Sequence, residues 1–373
     1  MDLSGIFSFL NKKDKSVLGI DIGSSAIKIV QLKKKKGRAV LETYGELALG
    51  PYGGVEVGRA TNLPQEKINE AMTDILREAK TSTHSCGVSI PLSASFVTFI
   101  KFPVMDEKQL AQMIPIEARK YIPVPITEVL FDWWVIPTEE KVGQTPVLKP
   151  GEKKEQKPVD TDVLVVAIHN EAIQKYTEIA QKNALNTSFF EIEIFSTLRA
   201  ALDQGTQSQM IVDVGAGTTK LYIIDHGILR YSHSINRGSQ DITLAISNAM
   251  SIPVPEAENL KRTYGLTGGP EYKQLAEIIS LTLDYIFYEA NRTLLNYQKK
   301  YNKSVGKVVL TGGGALLKGF KELAASSFQT DTILGDPFAK VETPAFLEEV
   351  LKQAGPEFAV AVGVALRKLS EIK

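Results

Sequence analysis

Asp21-Ile22-Gly23-Ser24-Ser25-Ala26-Ile27-Lys28 and Asp213-Val214-Gly215-Ala216-Gly217-Thr218-Thr219-Lys220 are two copies of one pattern. Each ends a hydrophobic strand on an aspartate, turns through glycine and hydroxyl residues, and sets a lysine seven positions after the aspartate. Asp213 lies 192 positions beyond Asp21, about half of the 373-residue chain. The chemistry suits a phosphate. Glycines let backbone approach closely, successive turn N–H groups form an anion-binding concavity, and Ser and Thr hydroxyls add donors. Asp21 and Asp213 would hold the water shell of a Mg²⁺ ion bridging phosphates, because Mg²⁺ keeps most of its water. Lys28 and Lys220 lie on second strands, where alternation alone leaves them either reaching a phosphate or facing solvent. A third element follows, Val308 to Phe320: a strand, the run Gly312-Gly313-Gly314, and a helix. It lacks the spacing of a Walker loop and of a Rossmann fingerprint. Its glycines suit a base and ribose lying against backbone, and the helix start offers N–H groups to a phosphate.

Composition narrows the class. Lys+Arg and Asp+Glu both number 43, giving a formal net charge of +0, and 43% of residues are hydrophobic. That is an ordinary globular balance, with no overall basic character for a nucleic-acid clamp. The one cysteine, Cys86, excludes an intrachain disulfide and reads as a small packing residue. Four scattered histidines give no zinc spacing. No apolar run approaches the roughly 20 residues of a membrane span. Leu3, Ile6, Phe7, Phe9 and Leu10 read as an N-terminal docking segment packing back on the body, with a membrane-touching turn as the alternative.

Along the chain, Val17–Leu32 reads as a hairpin and Lys33–Lys36 as a solvated hairpin tip. Pro64–Lys80 is an amphipathic helix with Ile68, Ala71, Met72, Ile75, Leu76 and Ala79 on one face. From Cys86 to about Asp160 an α+β module interrupts this pattern. It has a strand at Ser95–Phe102, then a helix capped by Asp106 with Leu110, Met113, Ile114 and Ala118 inward. Pro115 should kink or divide that helix. A strand at Glu128–Ile136 and a long mobile loop over Thr138–Asp162 complete the module. Regular alternation resumes with a strand at Val163–Ile168 and a helix from Asn170. A strand at Phe189–Ile194 then feeds a helix through Leu202, and the second hairpin follows. Helical stretches at Ser239–Tyr264 and Pro270–Tyr301 come next, and a closing helix spans Phe358–Leu369.

The order of hairpin, hairpin and glycine turn resembles the actin/Hsp70/sugar-kinase ATPase superfamily over nearly the whole chain. The resemblance implies an α/β fold: an actin-like, ribonuclease H-like duplicated, two-lobed ATPase architecture with an inserted α+β subdomain of the 1C kind. Residues 1–85 would open the first lobe, 86–162 form the insertion, and 163–205 finish that lobe. Residues 206–355 would be the second lobe, and 356–373 a helix returning to the first. The cofactors implied are ATP or ADP with Mg²⁺. They would be held by Gly23, Ser24, Ser25, Lys28, Gly215, Gly217, Thr218, Thr219, Gly238, Gly312, Gly313, Gly314 and Leu317, with Asp21 and Asp213 at the metal through water. Ala257-Glu258-Asn259-Leu260-Lys261 resembles the AExxK segment whose Glu and Lys border the adenosine in bacterial actin homologues. Glu258 and Lys261 would equally serve as an i, i+3 pair on a solvated helix face. Glu193 falls where the family's first connecting helix begins. With Asp213 it is the candidate for orienting or deprotonating a hydrolytic water.

Phe102 to Ile136, through Glu117-Ala118, Tyr121-Ile122-Pro123, Val129 and Asp132, resembles the PilM family of type IV pilus assembly, with a relation to the FtsA cell-division family. This implies a cytoplasmic ATP binder with slow or negligible hydrolysis. It would bind the cytoplasmic N-terminal peptide of PilN and so sit at the inner face of the inner membrane. Phe96, Phe99, Phe102, Tyr121 and Ile122 are the candidate groove, or simply the module's own core. Other inner-membrane and motor components, and self-association, remain open as partners, and nucleic acid does not. The alternatives are a slowly hydrolysing ATPase or a filament-forming, membrane-linked scaffold of the FtsA kind.

Overall fold

The computed structural model describes residues 16–136, 160–202, 205, 207–269 and 272–372. The expected N-terminal docking segment, and the expected loop over Thr138–Asp162 except for its last three residues, lie outside the described residues. Two compact units make up the chain: Met1–Ser89 together with Tyr176–Lys373, and Ile90–Lys175.

The first unit begins as an antiparallel meander. β1 (Ser16–Ile22) pairs with β2 (Ala26–Lys35), and β2 with β3 (Arg38–Ala48). Lys36 and Gly37 turn between the last two with φ of 49° and 80°, the two positive values a type I′ hairpin needs. β4 (Ser85–Ile90) lies parallel to β1. Three strands of the second unit come next in the chain: β5 (Ser95–Phe102), β6 (Val129–Val135) and β7 (Thr161–His169). Then β8 (Asn186–Ile192) completes a five-stranded sheet of order β3-β2-β1-β4-β8. The second half repeats the plan. β9 (Gln209–Val214), β10 (Thr219–Asp225) and β11 (Ile228–Ile235) form the meander, and β12 (Lys307–Thr311) and β13 (Asp331–Leu334) add in parallel. Its order is β11-β10-β9-β12-β13. The duplication seen in eight residues is therefore a duplication of whole sheets.

Helices cover these sheets. Leu18, Ile20, Ile27 and Ile29 are wholly buried, and each such side chain contributes about 1.5–3 kcal/mol of transfer free energy. The helix Ala359–Ser370 presses on β1 so closely that a Cβ on Gly19 would stand 2.1 Å from the Ala361 carbonyl oxygen. It also crosses the helix Glu193–Ala201, where a Cβ on Gly363 would stand 2.0 Å from the Ser196 oxygen. A buried carboxylate ties these parts together. Glu191 accepts from Arg199 Nη1 at 2.7 Å and Nη2 at 2.8 Å, from Arg367 Nη1 at 2.7 Å, and from Ser196 Oγ at 2.5 Å. Cys86 is buried as a packing residue, and burial pushes its thiol pKa up. The second half's core joins Met210, Val212, Leu221, Ile223, Val308 and Leu310 to Ile279, Leu283 and Phe287 of the helix Leu275–Tyr301. The expected stretch Ser239–Tyr264 is two helices, Ser239–Met250 and Val254–Tyr264. Ser251 turns left-handed at φ 54°, and Pro253 and Pro255 cannot continue the first helix.

The second unit is a three-stranded antiparallel sheet, β5-β7-β6, covered by the helix Glu107–Ala118. Asp106 caps that helix as expected: its Oδ1 accepts from Gln109 N at 2.8 Å. The helix runs through Pro115 without dividing. Leu110, Ile114 and Ala118 face inward, whereas Met113 is 41% exposed. The boundary expected at residue 162 is wrong. β7 is the central strand of this inserted sheet and not the start of a return to the first lobe. The expected peptide groove also needs correction. Phe102 and Ile122 are buried in the unit's core, with Phe96 packed against it. Phe99 lies on the opposite face of β5 from Phe96 and Phe102, because side chains alternate along a strand. Tyr121 is half exposed. The five residues share no single surface.

The close contact at β1 makes a prediction. Gly19→Ala should lower the urea-unfolding free energy by about 3 kcal/mol or more, since the added methyl meets backbone that cannot move aside. An unchanged midpoint would contradict this packing.

Candidate functional site: a cleft between two like hairpins

The two hairpins turn in the same way. Gly23 N–H donates to the Ala26 oxygen at 3.0 Å, and Gly215 N–H to the Thr218 oxygen at 2.9 Å. The strand pairing opposes Asp21 to Lys28 and Asp213 to Lys220, so each pair points to one face of its ribbon. β12 runs parallel to β9 with Thr311 beside Asp213, which carries the triple glycine to that carboxylate. Gly312 has φ 81°, and a Cβ there would stand 2.5 Å from both Asp213 Oδ1 and the Val214 oxygen. One on Gly314 would stand 2.4 Å from Val214 Cγ1. These glycines first of all let the third turn seat against the second.

The three turns enclose a cleft of about 400 Å³ within the first unit. Its lining carries six carboxylates (Asp21, Glu46, Glu193, Asp213, Glu258, Glu357) against four cations (Lys28, Lys220, Lys261, Arg262), a formal excess of two negative charges. Burial pushes Asp213 up to about 6 against the pull of Lys220, and the Glu193 and Asp21 carboxylates add to the rise. Burial and Glu193 also raise Asp21, although Ser89 Oγ donates to its Oδ1 at 2.7 Å. Lys220 donates to Glu193 Oε2 at 2.5 Å. Burial would lower its pKa, but Glu193 and Asp213 hold it above the usual lysine range. Lys28 pairs with Glu46 Oε1 at 3.0 Å. At the far wall Lys261 Nζ lies 2.6 Å from Glu258 Oε2, and Arg262 Nε donates to Glu258 Oε1 at 2.7 Å. Thr243 Oγ1 also donates to Glu258, at 2.6 Å. Glu258 and Lys261 are both buried, so the pair is no solvated helix face.

Asp21, Gly23, Ser24, Ser25, Lys28, Glu193, Asp213, Gly215, Thr218, Glu258, Lys261, Gly312, Gly313, Gly314 and Leu317 all line this one cleft. Gly217, Thr219 and Gly238 do not. Thr219 Oγ1 is committed to the Arg237 oxygen at 2.9 Å. Gly238 caps the helix Ser239–Met250 against Ala216, whose oxygen would be 2.4 Å from an added Cβ. Gly217 sits beside Ala60 and Gln240. Lining residues that the sequence reading missed include Glu46, Arg262, Glu357, Ser239 and Gly58. The cleft has the size of a small-molecule site. Among the described residues no three His, Cys, Asp or Glu side chains group to coordinate a metal directly. The two aspartates suit a hydrated Mg²⁺, held through its water and a ligand's oxygens.

The raised Asp213 fixes the sign of a pH effect in the ligand-free protein. The fold favours the protonated carboxyl, so this contribution to stability is complete below the unfolded value of 3.8 and is lost as pH rises through about 6. Asp213→Asn, which cannot ionise, should gain on wild type by up to about 3 kcal/mol between pH 4 and pH 7.5 in urea unfolding. A difference between the two proteins that does not change with pH would refute the assignment.

The comparisons with known proteins agree with this geometry. One solved relative is the PilM-PilN type IV pilus biogenesis complex, with TM-score 0.77 and 25% identity over 95% of this chain and 98% of that one. MreB5 of Spiroplasma citri bound to AMPPNP matches in fold, with TM-score 0.52 and 12% identity over 96% and 97% of the two chains. In sequence, cell division protein FtsA of Neisseria meningitidis serogroup B is 23% identical over 90% of this chain and 89% of its own length. The fold is therefore the actin-like one. The family model described as type IV pilus assembly protein PilM matches residues 19–369, and the chain belongs to that family.

Proposed function

We propose that this chain serves type IV pilus assembly as an actin-like nucleotide binder, taking ATP or ADP with Mg²⁺ in the cleft and the cytoplasmic N-terminal peptide of PilN on its inserted unit. The observation that carries the reading is the convergence of both Asp-Gly-hydroxyl turns on one cleft in a chain of this family. The PilM-PilN complex supports the choice of partner, and the AMPPNP-bound relative supports the choice of ligand.

In this reading Ser24, Ser25, Ala216 and Thr218 face the phosphates from opposite sides. Gly313 leaves room for the nucleoside, since only the Glu357 side chain would come near an added Cβ. Glu258 and Lys261, each holding the other, border the base and ribose. When bound, Mg²⁺ would supply positive charge to the phosphates, and Asp21 and Asp213 would hold it through water. Glu193 and Asp213 are the groups placed to orient a hydrolytic water. Glu193 already accepts from Lys220, which supports slow hydrolysis. No helix among the described residues is long and apolar enough to cross a membrane. Tethering to PilN would bring the chain to the inner face of the inner membrane. Of the expected peptide contacts, the exposed Tyr121 suits that role, with Phe99 partly exposed. The FtsA likeness favours a second reading, an ATP-dependent filament, which sedimentation with ATP·Mg²⁺ tests.

Removing both aspartates, Asp21→Ala with Asp213→Ala, should weaken ATP·Mg²⁺ binding at least about 100-fold, or about 2.7 kcal/mol. Unchanged binding would overturn the cleft assignment. A nucleotide can shift peptide binding only by its difference in affinity between two states of the protein. The PilN N-terminal peptide should therefore bind with different affinity with and without ATP·Mg²⁺ if the nucleotide acts as a switch. Equal affinities would leave a scaffold without a switch.

A further inference from the structure

The two hairpin lysines have different partners. Lys28 stays within its own sheet, 3.0 Å from Glu46 on β3. Lys220 leaves its hairpin and its half of the molecule. Its Nζ bonds Glu193 Oε2 at 2.5 Å, on the first residue of the helix Glu193–Ala201, and stands 3.9 Å from Asp213 Oδ2. Only 16% of the Lys220 side chain and 8% of the Glu193 side chain reach solvent. The Asp21 carboxylate acts on the same ammonium. Tyr222, two residues on along the same face of β10, is fully buried, so the lysine has no route to solvent behind it. Of the other cleft cations, Lys28 pairs with Glu46 while also attracting Asp21 and Asp213, Lys261 is held by Glu258 and Thr243, and Arg262 by Glu258.

We propose that Lys220 is a tethered counter-ion of the nucleotide cleft, its ammonium supplying among Asp21, Glu193 and Asp213 part of the positive charge that a divalent cation brings. The inference rests on the nucleotide-binding reading and goes beyond it. The cleft lining carries an excess of two negative charges, and without Lys220 the excess is three. A polyphosphate entering such a site needs cations. Each one built into the protein is one that solution need not provide, and an ammonium beside Asp213 also competes with a metal's water shell for that carboxylate. Lys220 therefore lowers the dependence of nucleotide affinity on Mg²⁺ from both directions. It strengthens binding without metal and limits the gain when metal is added.

The test measures the Kd of the full chain for ADP and for ATP, in Mg²⁺ and in EDTA, by calorimetry. The ratio of the EDTA to the Mg²⁺ value should rise at least tenfold in Lys220→Met and stay within threefold of wild type in Lys220→Arg. A ratio in Lys220→Met within threefold of wild type overturns the proposal, even though nucleotide binds. Should Lys220→Met fail to fold, judged by circular dichroism and thermal melting, Lys220→Gln is read against the same thresholds. If the wild-type chain binds nucleotide in neither buffer, the nucleotide reading itself is overturned, and this inference with it.

Discussion

Three carboxylates, Asp21, Glu193 and Asp213, share one largely buried space, and the fold is arranged around the need to offset them. Like charges in a low-dielectric site repel strongly, and burial alone penalises each ionised form. The protein answers with two ammonium groups, Lys220 bonded among them and Lys28 attracting both aspartates, and with Asp21 and Asp213 carboxyl groups that hold their protons to higher pH than usual. Everything that brings these groups together is backbone architecture. Two antiparallel hairpins each end on an aspartate, a parallel strand delivers a glycine turn against the second, and a helix opens on Glu193. A site of this kind favours a ligand that arrives with its own positive charge. That accounts for the coexistence of anion-binding turns and an acidic lining in one cleft.

Much of this was legible in the residues because hairpins are local. A strand, a turn and a strand within about fifteen residues specify their own pairing, so the Asp–Lys opposition follows from the seven-residue spacing alone. The partners of the lysines were not legible, and Glu46 shows why. Counting outward from the Lys36–Gly37 turn would pair Lys28 with Gly45. The bulge between Gln31 and Leu32 moves the register by one, and Lys28 faces Glu46. A bulge leaves little trace in composition. Lys220 to Glu193 is a contact between halves, and no local period encodes it.

The inserted unit went wrong for a related reason. Val163–Ile168 is apolar at every position, like a buried parallel strand, and so it reads as the start of a new α/β alternation. It is instead the middle of a three-stranded antiparallel sheet, with Val163, Val165 and Ala167 in the core under a helix. Leu164, Val166 and Ile168 on its other face are also at least 93% buried, so alternation is lost at the level of sequence. The same ambiguity affected Phe102 and Ile122. Apolar residues near a peptide site and apolar residues in a small core have the same side chains, and only burial separates them. The Glu258–Lys261 pair went the other way. An i, i+3 spacing suits a wet surface, yet the pair is buried with Thr243, and the largely exposed Arg262 only closes over its outer side.

The helix Ala359–Ser370 adds a constraint of another kind. It follows the whole second half in the chain, yet it fills the space against β1 and β2, which precede that half, with Ala361, Val362, Ala365 and Leu369 in the same core as Val17, Val30 and Leu32. Until it emerges from the ribosome, one face of the opening sheet has no cover, while the second half can close on its own helices. Maturation of the nascent protein is thus out of step with its reading order. The half translated first is finished last, and a stop codon just ahead of this helix would strip the interior of a sheet some three hundred residues upstream.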